Sequence, residues 1–373
     1  MDLNSAFKKP PPGHVSNLEH PPNEAGLAYA TLSVCLVTVT VFTWFRFFVK
    51  LWIMQKLHLE DYLIPFAWIA AIIHLACGFM IVQFAPIVHT WDITWLTFGR
   101  YLLWYRISSI FYNISIVIIK VAMLIQVLRI FVPRGARSKT FFIIHGLLWA
   151  NVIYYVIIVF LMIFNCKPIQ RAWKPWIAGK CMQIGLIAMS TAIVNLVGDL
   201  SILFLTQKVI WNLMRVERRQ RLKLSVVFLA GIIPCAFAIM CLYYNDHQMN
   251  STDFTRDSMY MTIACYGEIA SGMFVLFLPV VPKFFAHLKS SPSFTLLSNK
   301  RSQRGTVISS VQGDATPGER KKSLFHISYT QKESEEKLQI NVVNTVSVRS
   351  EVADHFGNDI DIELGQPRGV QMV

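Results

Sequence analysis

The chain has 373 residues, of which 54% are hydrophobic and only 15% charged, against roughly 25% charged in an ordinary globular protein. So much apolar surface cannot be hidden in one soluble core, which leaves a chain that crosses a membrane several times. The formal net charge is +13. The first 282 residues carry 23 Lys and Arg against 12 Asp and Glu, and the last 91 carry 12 against 10. The cationic excess therefore belongs to the apolar part, as expected for loops facing anionic headgroups. The partner it implies is a lipid bilayer, and nucleic acid is not expected.

Residues 1–26 are rich in proline (KKPPP, then HPP) and have no apolar stretch of signal-peptide type, so the first apolar run should direct the chain to the membrane. That run, 27–45, contains no charge and is long enough, at ~1.5 Å per residue, to cross most of a ~30 Å hydrocarbon core. Six more follow at 62–84, 102–128, 140–164, 184–207, 224–244 and 259–281. The expected fold is an all-α seven-helix membrane bundle over 27–282.

Loops 46–60, 129–139 and 207–223 hold 13 Lys and Arg, including Arg129, Arg215, Arg218, Arg219, Arg221 and Lys223. The three loops on the other side hold six. Cationic loops stay on the cytoplasmic side, which predicts an outside N-terminus and a cytoplasmic C-terminus. Trp91, Trp95, Trp104, Trp173 and Trp176 gather at the expected outer ends, where amphipathic rings prefer the interface. The Asn250-Ser251-Thr252 sequon, a candidate glycosylation site, falls on the same side.

Five of the seven cysteines lie in apolar runs and read as small packing residues. Cys166 and Cys181 instead bracket an outer loop in an oxidising compartment. A bridge between them would contribute ~3 kcal/mol through loop closure.

A charge at mid-bilayer costs ~2.5–3.5 kcal/mol on the insertion scale, so each one needs a partner or a task. Lys120 stands nine residues before Arg129 on the third span, and Asp199 eight or nine before Gln207 and Lys208 on the fifth. Both spans run the same way, so the two charges share a depth. They are expected to pair, with Asn195 one turn away on the face of Asp199. The pair reads either as a structural tie or as a switch. Glu268, His74, Asn113 and Arg106 add polar groups on spans 7, 2 and 3, either as a ligand pocket or as a satisfied core network.

The seventh span has no lysine for a retinal Schiff base, so no cofactor is expected. Motifs for zinc hydrolysis, serine hydrolysis or phosphate binding are missing, which argues against an enzyme. Residues 283–289 (KFFAHLK) can form a short amphipathic helix on the membrane surface. The remainder of 283–373 is rich in Ser, Thr, Lys and Glu, and is expected to be a disordered cytoplasmic tail. Within it, Ser323 follows a basic run and reads as a phosphorylation site or as part of an inert tail.

Several spaced segments together resemble the fungal rhodopsin-domain family of integral membrane proteins. They are LHLEDYLIPFAW at 57–68, IKVAMLIQVLRIF at 119–131, FNCKPIQRAW with GKC at 164–181, NLVGDLSILFLTQKVIWNL at 195–213, KLSVVFLAGI at 223–232 and GEIASGMFVLFLPVVPKF at 267–284. Glu60 replaces the first Asp of the family's usual acidic pair, and Thr206-Gln207 replaces a helix-exit proline. The chain also lacks the cysteine-rich outer module of some members. The resemblance implies a receptor-like plasma-membrane sensor of an unidentified extracellular ligand. Its cytoplasmic partner would be a heterotrimeric G protein or another signalling protein. The basic inner loops would form the docking surface, although the Asp-Arg-Tyr and Asn-Pro-x-x-Tyr signatures of animal receptors are missing. A small-molecule or ion transporter, using the intramembrane charges, is the alternative.

Overall fold

The computed structural model describes residues 2–131, 139–211, 225 and 229–290. Eight α-helices can be bounded among them: α1 (Ala25–Phe48), α2 (Leu59–Phe84), α3 (Trp95–Phe131), α4 (Lys139–Ile163), α5 (Ile184–Trp211), α6 (Ile232–Asn250), α7 (Phe254–Phe277) and α8 (Val281–Ser290). In an apolar medium each backbone N–H and C=O must be satisfied within its own segment, which is why the long uncharged runs become helices. Helices α1 to α7 pack in sequence, α7 closes back onto α1, and α3 also touches α5 and α7. Side chains facing away from the bundle are apolar and exposed, among them Val34, Phe66, Trp149, Phe160, Val197 and Phe204. They form the surface that lipid covers.

Among the described residues, six helical stretches are long and apolar enough to cross a membrane: Ala25–Met54, Leu59–Phe84, Trp95–Phe131, Lys139–Ile163, Ile184–Trp211 and Phe254–Leu288. The span expected at 224–244 corresponds to α6, shifted toward the C-terminus. Its final turns, Asn245-Asp246-His247-Gln248-Met249-Asn250, lower its hydropathy, and residues 224 and 226–228 lie outside the described residues.

The expected loop at 46–60 is largely helical. α1 runs through Arg46 and continues as a π-helix over Val49–Met54, with Arg46 and Lys50 both buried. The reason is electrostatic pairing with the start of α2. Asp61 accepts from Arg46 Nη2 at 2.8 Å, Lys50 Nζ at 2.8 Å and the His58 backbone N–H at 3.0 Å. Glu60, only 1% exposed, lies 2.5 Å from Arg129 Nη1 and 3.9 Å from Lys50 Nζ. Three cations meet two carboxylates, a net of +1. Arg46 offsets that excess by donating through Nη1 to the Leu276 carbonyl in the last turn of α7, where the helix dipole is negative. Burial, together with Arg129 and Lys50, pushes the His58 imidazole below its ordinary pKa, so it accompanies the cluster as a neutral group. One cluster thus fastens α1, α2, α3 and α7 at the end of the bundle referred to below as the charged end.

The opposite end is capped by two segments. Residues 2–24 lie against the α2–α3 connection: Ala6 bridges Thr94, Phe7 stacks on Phe98 at 3.8 Å, and the Asn17 N–H donates to Asp92 Oδ1 at 2.9 Å. Asp253 then pins that connection to α7 by accepting from the Thr90 N–H and hydroxyl, both at 2.9 Å. The second cap is a two-strand hairpin, β1 (Cys166–Lys167) and β2 (Lys180–Cys181), joined by the Cys166–Cys181 disulfide. Its loop presses on α3, where a Cβ at Gly99 would come within 2.9 Å of the Trp173 carbonyl. This is the hairpin end.

Asp61 neutralises two cations at once, so Asp61→Asn should leave Arg46 and Lys50 in excess and destabilise the fold by ~3–5 kcal/mol. The check is the melting temperature of the purified variant in detergent, and an unchanged melt would refute the central role of Asp61.

Candidate functional site

Between the two ends lies a polar network that crosses four helices. Lys120 on α3, 2% exposed, has its Nζ 2.8 Å from Asp199 Oδ1 on α5 and donates to the Asn195 carbonyl at 2.6 Å. Gly198 leaves room for this approach, since a Cβ there would sit 3.0 Å from Lys120 Nζ. The Asn195 amide donates to Glu268 Oε1 on α7 at 2.5 Å, and the Tyr112 hydroxyl donates to Glu268 Oε2 at 2.7 Å. Tyr155 on α4 donates to Asn195 Oδ1 at 3.0 Å. Asn195 is therefore the hinge of the network: its backbone meets the ion pair and its side chain meets the carboxylate. Sequence depth alone places Lys120 opposite Asp199. Tyr112 and Tyr155 carry no signal in the sequence, because a tyrosine in an apolar run looks like any other core aromatic.

Toward the hairpin end the network borders a cavity of about 530 Å³ among α2, α3, α5, α6, α7 and the end of α4. That lies within the ~300–1,000 Å³ of small-molecule sites. Tyr112, Cys241 and Cys265 form its floor, directly above Glu268, and the disulfide hairpin forms part of its roof. His74 lines it, accepting or donating at Nδ1 with the Ser108 hydroxyl at 2.8 Å, while Nε2 has no partner. Asn113 donates to the Ser109 carbonyl at 2.8 Å and leaves Oδ1 unpaired. Asn165 and Asn245 also line the cavity with unpartnered side-chain oxygens. Arg106 lines it too, and its guanidinium donates to the Met162 carbonyl at the end of α4. A buried polar atom without a partner costs ~1–3 kcal/mol, so four such residues around one cavity mark it as a place built to receive polar groups.

The expected site residues therefore divide into groups. His74, Asn113 and Arg106 line the cavity. Glu268, Asn195, Lys120 and Asp199 form the network beneath it. Arg129 does not offer a free docking cation, because its guanidinium is engaged by Glu60 at the charged end. Asn250 is exposed at the last position of α6, its amide donating to the Asp246 carbonyl at 3.1 Å. Arg215, Arg218, Arg219, Arg221, Lys223 and Ser323 lie outside the described residues. A second, much smaller void of about 40 Å³ touches Asp199, Gln126 and Thr206 on the charged-end side of the network.

Stacked apolar helices with paired charges inside and an apolar exterior define a multi-pass helical membrane protein. The fungal rhodopsin domain matches residues 45–287, and the chain belongs to that family. It is 28% identical over 292 residues to fugralins biosynthesis cluster protein 2 of Gibberella zeae, covering 76% of this chain and 71% of that relative. It is 33% identical over 196 residues to a SAT4 family membrane protein of Emericella nidulans, covering 52% of this chain and about half, 49%, of that relative. No solved structure matches the chain.

Neutralising either Lys120 or Asp199 leaves its partner charged and buried, and each single change should cost ~3–5 kcal/mol of stability. The exchanged pair Lys120→Asp with Asp199→Lys should recover a good part of it. A double variant no more stable than the singles, judged by thermal melting, would show that the pair itself is not what matters.

Proposed function

We propose that the chain is a receptor-like sensor of a small extracellular molecule, acting in the plasma membrane without catalysing a reaction. The observation that supports this best is the double role of Tyr112. Its ring lines the cavity floor while its hydroxyl holds Glu268, which Asn195 links to the Lys120–Asp199 pair. A molecule settling on the floor displaces Tyr112 or locks it, and the change reaches α5 and α7 through hydrogen bonds rather than through bulk packing. Such a route becomes allosteric only if the network has two arrangements that the ligand distinguishes.

In this reading α6 is the sixth of seven crossings, the hairpin end faces outward and the C-terminal segment lies in the cytoplasm. Cationic loops 129–139 and 207–223 then face a heterotrimeric G protein or another signalling partner, and a tail beyond residue 290 is open to modification at Ser323. Asn250 falls on the glycosylated side. Retinal is not the ligand, because 259–281 offers no lysine for it. The relatives' names supply no ligand. Transport is the second reading, favoured by the small void on the far side of the network.

Tags at residues 2 and 373 should be accessible from opposite sides of intact cells, and detection of both from one side would remove the seven-span arrangement.

Cells expressing the chain and screened with small extracellular molecules should give a ligand-dependent cytoplasmic signal, read as cAMP or G-protein activation. Tyr112→Phe should weaken that signal about tenfold, the equivalent of one lost hydrogen bond to a charged group at ~1.4 kcal/mol. Ligand affinity should change far less. Flux of the same molecule into proteoliposomes with no signal would replace the sensor with a transporter.

A further inference from the structure

We propose that the cavity at the hairpin end takes an amphipathic anion: an apolar body carrying one carboxylate or comparable acidic group. This rests on the reading of that cavity as a ligand site and adds the chemistry of what fills it.

The charge of the lining carries the inference. Arg106 and Arg171 are the charged side chains that line the cavity, and no Asp or Glu does so among the described residues. Both arginines belong to one wall. Arg106 donates to the Met162 carbonyl near the end of α4, and Arg171 belongs to the disulfide-closed hairpin that follows that helix, where it donates to the Ile177 carbonyl. Neither forms an ion pair among the described residues. Both are half-buried, and they contrast with four cations at the charged end and in the central network. Arg46, Lys50, Lys120 and Arg129 all have carboxylates within 4 Å. Among the described residues the two cavity arginines are met by backbone carbonyls and by no carboxylate, which leaves the positive charge uncompensated and the remaining guanidinium N–H groups available to an acceptor. A guanidinium fork matches a carboxylate in a bidentate arrangement.

Much of the remaining wall is apolar, with Phe98, Leu102, Ile184, Leu186, Met249 and Met261 beside the polar groups already described. A small inorganic anion would leave that surface unfilled, and a cationic ligand would meet two like charges. Glu268, the nearest carboxylate below the floor, has both oxygens engaged by Asn195 and Tyr112. The acidic group of the ligand therefore belongs on the arginine wall, with the apolar body lying toward Phe98 and Met261. The unpaired side-chain atoms of Asn113, Asn245 and His74, each at least nine-tenths buried, then provide places for a hydroxyl on that body.

The test uses the full chain in phosphatidylcholine nanodiscs and a panel of apolar acids of about 12 to 25 non-hydrogen atoms, each paired with its primary amide and its amine. Binding is measured by isothermal calorimetry. At least one acid should bind about tenfold tighter than its own amide, with the amine weakest. Arg106→Gln should reduce that preference to within about twofold while amide binding persists, and Arg171→Gln should do so in part. Arg171 lies in the hairpin, so this second variant serves even where Arg106→Gln lowers expression. Replacing the lipid by phosphatidylglycerol separates two sources of the anion: competition assigns the site to an acidic lipid headgroup, and undiminished binding assigns it to a free acid. Either outcome keeps the anion. Amides and acids binding equally well would overturn the anion assignment and leave the ligand site standing. Failure of every acid, amide and amine to bind would overturn both.

Discussion

A charge moved from water into an apolar interior must be met there by an opposite charge or by oriented dipoles, and the helices of this protein are arranged around that requirement. Asp61 holds Arg46 and Lys50, Glu60 holds Arg129, and Lys120 holds Asp199, so α1, α2, α3 and α5 are each committed to a partner by at least one ion pair. Helix α7 joins them without contributing a paired charge at the charged end: it lends the Leu276 carbonyl to Arg46 and, further along, Glu268 to Asn195 and Tyr112. Buried pairs of this kind add little net stability compared with apolar packing, because desolvation consumes most of the Coulomb gain. Their effect is on register. An apolar helix can slide or rotate against its neighbours at small cost, whereas a helix carrying Lys120 or Asp61 has one position in which the charge is compensated.

The two polar layers differ in what they leave over. At the charged end each carboxylate faces at least one guanidinium or ammonium group, and the cluster behaves as a fastening. The central network is also largely saturated, yet it stands against a cavity whose own polar groups are not. His74, Asn113, Asn165 and Asn245 keep unpartnered atoms, and Arg106 and Arg171 keep uncompensated charge. Arg46, Lys50 and Lys120 are buried against carboxylates, whereas the half-buried Arg106 and Arg171 meet none among the described residues. Tyr112 belongs to both regions, which makes it the point where occupancy of the cavity would be felt by the helices.

The hairpin end shows the same economy with weaker forces. Residues 2–24 have no helical periodicity, but backbone pairing at Ala6 and Thr94, the stacking of Phe7 on Phe98 and the ion pair of Glu24 with Arg256 lay them across the helix ends. Phe98 also lines the cavity, so this segment packs behind one of its wall residues while the disulfide hairpin lines it directly. Aromatic contacts of this sort contribute ~0.5–1.5 kcal/mol beyond the area they bury, enough to keep a short segment in place.

The sequence alone determined the class of protein, because membrane crossing is a local property: a run of about twenty uncharged residues is sufficient to read it. It also determined that Lys120 and Asp199 share a depth, since 1.5 Å per residue counted from a charged boundary is a reliable ruler on parallel spans. Charge is where the local reading failed. Arg46 and Lys50 look like loop residues in any sequence window, and only the approach of Glu60 and Asp61 from the next helix makes their burial affordable. Arg129 looks like a surface cation until Glu60 takes it up. The partners of Glu268, the cavity above it and the cap made by a proline-rich segment depend on residues 70 to 240 positions apart, and no local pattern encodes such separations. Solvation of a single side chain is written in its neighbours along the chain, whereas compensation of a buried charge is decided by whichever helix the fold brings beside it.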